Sequence, residues 1–532
     1  MKENKDLLIT NVNILDGSLH KSFAGEVLLS GEKILSVSKK GVNTYCNCRR
    51  FDGKEAFLAP GFIDTHTHSD MSLFAAPDAL SSIMQGVTTL VTGNCGLSPF
   101  PVLTEEVREH LQILYGKYGQ KILWKDFASY AGSLQHCAPA VNVLPLCGHN
   151  TLKGCIYSYD SKNSDDTPEK RRKLSLLLEE TLSQGAWGLS TGLLYMPGRT
   201  SKKEELLSLM QVLKKFDLPY ATHLRSEGDQ LLEALDEAIL LASHGSGKLH
   251  ISHLKTSLPR NFGKLPEVFR KIAEAKNKAN LQITADRYPY IYSATSLSLV
   301  LPEKYAEMTD RAIQTVLSTD TGECERLISF LNTSYRDWGK VLLADTGYEK
   351  MKKYRGKSIK KVGQMLCRTP GEVIIDLLKE DSPGTIGAFA GMSEENMKKI
   401  LHQDFVCCGS DETTRPQEDS FGRSHPRGFG SFPEFFNLLC RMGVSKEEAI
   451  YRMTGLPGKI FSIPQRGLIR QGFYGDLVLF DPDSFHSRSD FTAPHTFPSG
   501  IKSVFINGEL FDPDASPARR KRTGKVLKNL PE

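Results

Sequence analysis

His66 and His68 stand two residues apart at the end of the run APGFIDT. On a strand, residues two apart face one side, so both imidazoles can address a single ion. Four more residues with ligand or acid–base chemistry close short apolar runs in the same way. They are Cys95 in TGNCG, His223 in YATH, His253 in HISH and Asp411 in FVCCGSD. Imidazole and thiolate together favour a borderline-soft ion, with zinc first. Singly, each has an ordinary reading: a core thiol, a hydrogen-bonded interior histidine, a helix N-cap. Repeated at successive strand ends, the placement makes a metal centre the better reading. Glycines beside Cys95 let backbone and thiolate approach an ion closely. His250, at odd spacing from His253, is expected to face the opposite way. His136, His149, His244 and His402 show no such placement.

The elements that must carry these residues follow from periodicity. LLITNVNILDG, GEVLLSGEKILSVSKK and AFLAPGFIDTH alternate apolar and polar residues between Gly and Asp-Gly turns, and read as strands. The same texture returns in GLIRQGFYGDLVLFDPD and KSVFINGELF. Between about Ile63 and Phe461, amphipathic helices such as EKRRKLSLLLEETLSQG alternate with short apolar strands. That repetition predicts a parallel barrel or doubly wound sheet, capped by a β unit assembled from both chain ends. Residues from about Thr295 to Tyr354 interrupt the rhythm and read as an insertion.

Composition narrows the classes. The net charge of +5 over 532 residues is too thin to imply a nucleic-acid or membrane partner. No apolar run approaches a bilayer span, and MKENKDLLITNVNILDG lacks the apolar block of a secretory signal. The basic run ARRKRTGKVLK reads as a solvated tail. The 11 cysteines form no even framework, which fits free thiols in a reducing cytoplasm. Cys46-Asn47-Cys48 and Cys407-Cys408 lack zinc-knuckle spacing and read as packing or surface residues. TGLPGKIF lacks the spacing of a phosphate-binding loop, and neither a GxSxG elbow nor a Rossmann fingerprint is present.

Taken together, APGFIDTHTH, QGVTTLVTGNCGLSP, GLSTGLLYMPG, THLRSEG, ISHLK, DRYPY, GSD, HPRGFGSFP and YGDLVLFDPD resemble the D-aminoacylase (N-acyl-D-amino-acid deacylase) family of the amidohydrolase superfamily, in matching order and nearly end to end. The resemblance implies a zinc-bearing (β/α)8 barrel, here over 63–461, and a small β-sandwich from 1–62 and 462–532, while the insertion read from the broken rhythm at about 295–354 is expected to form a lid. By motif, Cys95, His223 and His253 correspond to the ligands of one tightly held zinc. His66 and His68, with Asp411, correspond to a second, weaker position bridged by the same cysteine, which replaces the carboxylated lysine of dihydroorotase and hydantoinase. Asp411 corresponds to the general base. Lys255 and Arg427 correspond to the cations for the substrate's free carboxylate, with Tyr195 and Tyr288 as hydroxyl partners, although Tyr290 is expected to share the face of Tyr288.

The implied reaction is hydrolysis of an N-acyl-D-amino acid to a carboxylate and a free D-amino acid, with no nucleic-acid or membrane partner. The rivals are an amidohydrolase acting on D-dipeptides or cyclic amides, and a catalytically silent barrel with a binding role. The chain departs from the family at Ser410-Asp411-Glu412, where Ser-Asp-Gly is usual. The segment TTRPQEDSFGRSHPR that follows is longer and more charged than expected. Both departures fall beside the expected substrate pocket and bear on acyl or side-chain preference more than on the chemistry, with a solvent-facing Glu412 as the alternative.

Overall fold

The computed structural model describes residues 6–41, 48–159, 165–278, 280–306, 308–334 and 336–530. Cys46 and Asn47 lie outside them. Strands Leu7–Ile14, Phe23–Ser30, Lys33–Lys39, Arg49–Asp52 and Phe57–Pro60 share one eight-stranded sheet with Leu477–Phe480, Ile501–Ile506 and Glu509–Phe511. Alternating side chains such as Ile9, Val27, Leu58, Leu477 and Phe505 form its apolar cluster. The two ends of the chain join where Phe57–Pro60 pairs antiparallel with Leu477–Phe480.

Parallel strands then build a barrel in chain order: Phe62–Asp64, Val87–Thr92, Asn142–Pro145 continued by Cys147–Gly148, Leu189–Gly192, Tyr220–His223, Lys248–Ile251, Gln282–Arg287 and Val406–Cys408. Their burial on both faces explains the continuous apolar runs. The ring closes between its first and final strands. The Thr65 hydroxyl donates to Cys408 O at 3.0 Å, and the Ser410 N–H donates to Asp64 Oδ1 at 2.9 Å. Helices cover the outside. Helix Lys203–Phe216 buries Leu206, Leu209, Met210 and Leu213, the spacing of one helical face. Each such side chain contributes about 1.5–3 kcal/mol on burial. Helix Pro168–Ser183 starts on an N-cap, Thr167, whose hydroxyl accepts from Lys170 N, with Pro168 fitting its first turn.

Between Arg287 and Val406 the chain leaves the barrel. Ser293–Ser296, Val341–Asp345 and Ile386–Phe389 form a separate three-stranded antiparallel sheet with its own apolar cluster. This unit therefore reaches beyond the 295–354 segment read from the sequence.

The basic run near residue 520 is not a solvated tail. Arg520 and Arg522 each lie 2.6 Å from Asp78, and Lys525 lies 2.5 Å from Glu32. Lys525 O accepts from Val143 N at 2.8 Å, while Leu527 N donates to Val143 O at 2.7 Å and Asn529 N to Gly185 O at 2.9 Å. The segment thus supplies hydrogen bonds along the wall beside Asn142–Pro145. Its carboxylate partners are distant in sequence, so the charge pattern alone could not reveal them. Among the described residues, no helix is long and apolar enough to cross a membrane.

Candidate metal centre

The residues singled out from strand ends converge at one end of the barrel. Cys95 Sγ lies 3.3 Å from His66 Nε2, 3.6 Å from His223 Nδ1 and 3.6 Å from His253 Nε2. Asp411 Oδ1 lies 3.2 Å from His68 Nε2 and 3.5 Å from His66 Nε2. A tetrahedral zinc with sulfur at about 2.3 Å and nitrogen at about 2.0–2.1 Å holds those two atoms about 3.6 Å apart. The cysteine–histidine spacings match that figure, and the soft, buried donor set fits such an ion. Ligand atoms of His66, Cys95, His253 and Asp411 all lie within 4.8 Å of one another, and His223, Glu227 and His253 form a second such group.

Local backbone explains how the side chains reach inward. Cys95, His253 and Asp411 adopt left-handed conformations, with φ of 53°, 35° and 51°. Such conformations cost non-glycine residues roughly 1–3 kcal/mol each and persist where the surroundings enforce them. Gly96 makes the Cys95 turn possible, since a Cβ there would sit 2.6 Å from Gly192 N. The turn at His253 also overturns the expectation for His250. Three residues apart on a regular strand would oppose one another, but His253 lies beyond the strand end and swings inward. His250 faces the barrel interior too, bonded to Thr284 Oγ1 at 2.8 Å and Asp286 Oδ2 at 3.0 Å. It remains outside the ligand cluster.

Two acids missed in the sequence orient the imidazoles. His66 Nδ1 donates to Asp286 Oδ2 at 3.1 Å, and His253 Nδ1 lies 2.9 Å from Glu227 Oε1. A carboxylate behind a histidine fixes which ring nitrogen faces a metal and raises its basicity. Both acids lie inside recognised motifs, DRYPY and THLRSEG, so their position could have drawn notice. Burial alone would raise the Cys95 thiol, but the His66 charge and hydrogen bonds from His223, His253 and His66 hold it well below its ordinary value.

Every predicted site residue except His66 lines a cavity of about 530 Å³. His66 is fully buried. Arg427 Nη1 approaches Asp411 Oδ2 at 2.9 Å, and its guanidinium carbon sits 4.6 Å from the Tyr288 ring centre. Beyond that ion pair, Arg427 Nε, 4.0 Å from Glu412 Oε2, and the Tyr288 hydroxyl are buried without a hydrogen-bond partner. Lys255 is committed otherwise: its ammonium meets Glu227 and lies 2.8 Å from His253 Nδ1. The Tyr195 ring packs 4.9 Å from that of His223. Tyr290 packs edge-on against His425 at 5.4 Å and, unlike Tyr288, does not line the cavity. Of the two places open to Glu412, the side chain takes the inward one, with Arg415 Nη2 at 3.0 Å. The upper wall comes from Ser293–Ser296, Leu299, Ile386 and Phe389 of the separate sheet, and from Leu114, Tyr115 and Tyr118.

Comparison with known proteins agrees with this architecture. A family model described as "Amidohydrolase family" matches residues 50–342. N-acyl-D-aspartate deacylase of Alcaligenes xylosoxydans xylosoxydans is 30% identical, over 98% of this chain and 95% of that protein. D-aminoacylase of the same organism is 30% identical, over 94% of this chain and 93% of that protein. The solved structure of a D-aminoacylase superposes with a TM-score of 0.79 at 27% identity, over 98% of this chain and 99% of that one.

Proposed function

Because the chain belongs to the amidohydrolase family, in its D-aminoacylase branch, we propose that it hydrolyses N-acyl-D-amino acids to a carboxylate and a free D-amino acid in a zinc-dependent reaction. The carrying observation is one cavity that holds both a thiolate–imidazole–carboxylate cluster and a buried guanidinium, Arg427, whose Nε and neighbouring Tyr288 hydroxyl make no hydrogen bond. Beside its ion pair with Asp411, the buried guanidinium keeps donor capacity open toward the cavity, and a substrate carboxylate suits that fork. Cys95, His223 and His253 would hold one zinc tightly, and His66, His68 and Asp411 would serve a second, weaker position sharing Cys95. The bound metal supplies Lewis acidity to the amide carbonyl and to an attacking water.

The chain's own groups do the rest. Arg427 and Tyr288 bind the α-carboxylate and so place the amide over the cluster, while Lys255 and Glu227 brace His253. Arg427, His253 and the His68 hydrogen bond outweigh burial and keep Asp411 ionised. Its carboxylate therefore accepts the water proton and then delivers it to the leaving amine. Tyr195 closes the cavity beside His223.

The test is amine release by the zinc-loaded protein from paired N-acetyl-D and N-acetyl-L amino acids, across apolar and acidic side chains. Turnover restricted to D forms is expected. Turnover of L forms alone, or of neither hand with metal verified, would reject the reading. Replacing Arg427 by Ala removes a buried charge partner, a change typically costing 2–5 kcal/mol, so KM should rise by about 10²-fold. An unchanged KM would place the carboxylate elsewhere.

A further inference from the structure

Glu412 is a buried acid that the mechanism above leaves unused. Its side chain is only 12% exposed, and it sits directly after Asp411 at the closure of the barrel. Oε1 accepts from Arg415 Nη2 at 3.0 Å and from Thr413 N at 3.1 Å. Oε2 accepts from His425 N at 3.2 Å and lies 4.0 Å from Arg427 Nε. The neighbouring helix, Arg427–Arg441, leaves room for this acid: a Cβ at Gly428 would stand 2.7 Å from Glu412 Cγ. Arg427 is thus boxed on three sides, by Asp411 at 2.9 Å, by Glu412 and by the Tyr288 ring. Its remaining edge is turned to the cavity it lines.

We propose that Glu412 is a positioning residue that sets how Arg427 receives the substrate's carboxylate. The proposal rests on the deacylase reading of the cavity. Two buried arginines, Arg415 and Arg427, share this corner with two carboxylates, Asp411 and Glu412. Without the Glu412 charge, Arg415 faces Arg427 uncompensated. Asp411 then becomes the single carboxylate holding the Arg427 fork. The fork turns onto Asp411 with both nitrogens and withdraws from the cavity. Binding of a carboxylate suffers, while the groups that move protons stay in place. The Glu412 backbone carbonyl accepts from His68 N at 3.0 Å, a bond that a side-chain change leaves in place, whereas its carboxylate acts through Arg427.

The measurement compares Glu412→Gln with the wild-type holoenzyme on two substrates, an N-acetyl-D-amino acid and its C-terminal amide, which lacks the carboxylate. KM for the acid should rise about tenfold with kcat within about twofold, and kcat/KM for the amide should be unchanged, because only the desolvated charge contact is weakened. Equal losses on both substrates, or a loss in kcat alone, would overturn the proposal. Gly428→Ala provides a second probe that keeps the charge but presses a methyl group on Glu412. It should show the same split between acid and amide, and an unchanged KM for the acid in both variants rejects the idea. If the wild-type protein released no amine at all, the deacylase reading would fall separately. Calorimetric binding of a free D-amino acid to metal-loaded protein would still read the clamp. About tenfold weaker binding in Glu412→Gln supports it, and equal binding or none to either chain rejects it.

Discussion

Asp411→Asn is expected to retain its metal yet lose turnover by at least about 10³-fold, within the range of a lost general base and equivalent to roughly 4 kcal/mol of transition-state stabilisation. The amide is isosteric, and its oxygen can still accept from Arg427, so the pocket keeps its shape. It cannot take a proton from water at neutral pH. The backbone turn at Asp411 is also pinned independently of the side chain, since Asp411 N donates to His66 O at 2.8 Å. Metal content and amine release, measured on the same preparation, separate the two roles. Rates like those of the wild-type chain would remove Asp411 from acid–base chemistry. Parallel loss of metal and turnover would make it chiefly a ligand.

Removing the thiol should have the opposite signature. Cys95→Ala is expected to lose metal first and activity with it, because Cys95 Sγ is the atom shared by His66, His223 and His253. Removing a partner behind a ligand already costs 10–100-fold in metal affinity, so losing the shared ligand should cost more than about 100-fold. The electrostatics reinforce this result. The His66 charge is compensated by Cys95 as well as by Asp286, and removing the thiolate leaves imidazoles crowded together with less negative charge between them. Metal analysis after dialysis, with circular dichroism to check folding, decides the matter. A folded variant that keeps stoichiometric metal and turns over substrate would show that the histidines and Asp411 suffice.

Much of this centre was legible in the residues alone. Short apolar runs ending in His, Cys or Asp located His66, His68, Cys95, His223, His253 and Asp411, because parallel barrel strands end at one rim. What escaped had physical causes. Periodicity assumes an extended backbone, and the left-handed turn at His253 breaks that assumption, so the relation of His250 to His253 was misread. Glu227 and Asp286 carry no ligand spacing of their own and gain meaning only from the rings they orient. Whether Glu412 faced pocket or solvent stayed open in the sequence, because Arg415 and His425, the groups that draw it inward, lie on a charged segment of irregular structure. The docking of Arg520 and Arg522 on Asp78 depends on a contact spanning most of the chain.

That last contact bears on how the molecule is made. The wall beside Asn142–Pro145 draws hydrogen bonds from Lys525 and Leu527, and Lys525 N itself bonds to Asn142 Oδ1 across 383 residues. At translation rates of 5–20 residues per second, a ribosome needs about 20–80 s to deliver that segment after the strand has emerged. During that interval, part of the nascent barrel carries unsatisfied backbone groups, the kind of edge that pairs with other chains. A chaperone that covers this edge during synthesis should therefore raise the yield of folded protein.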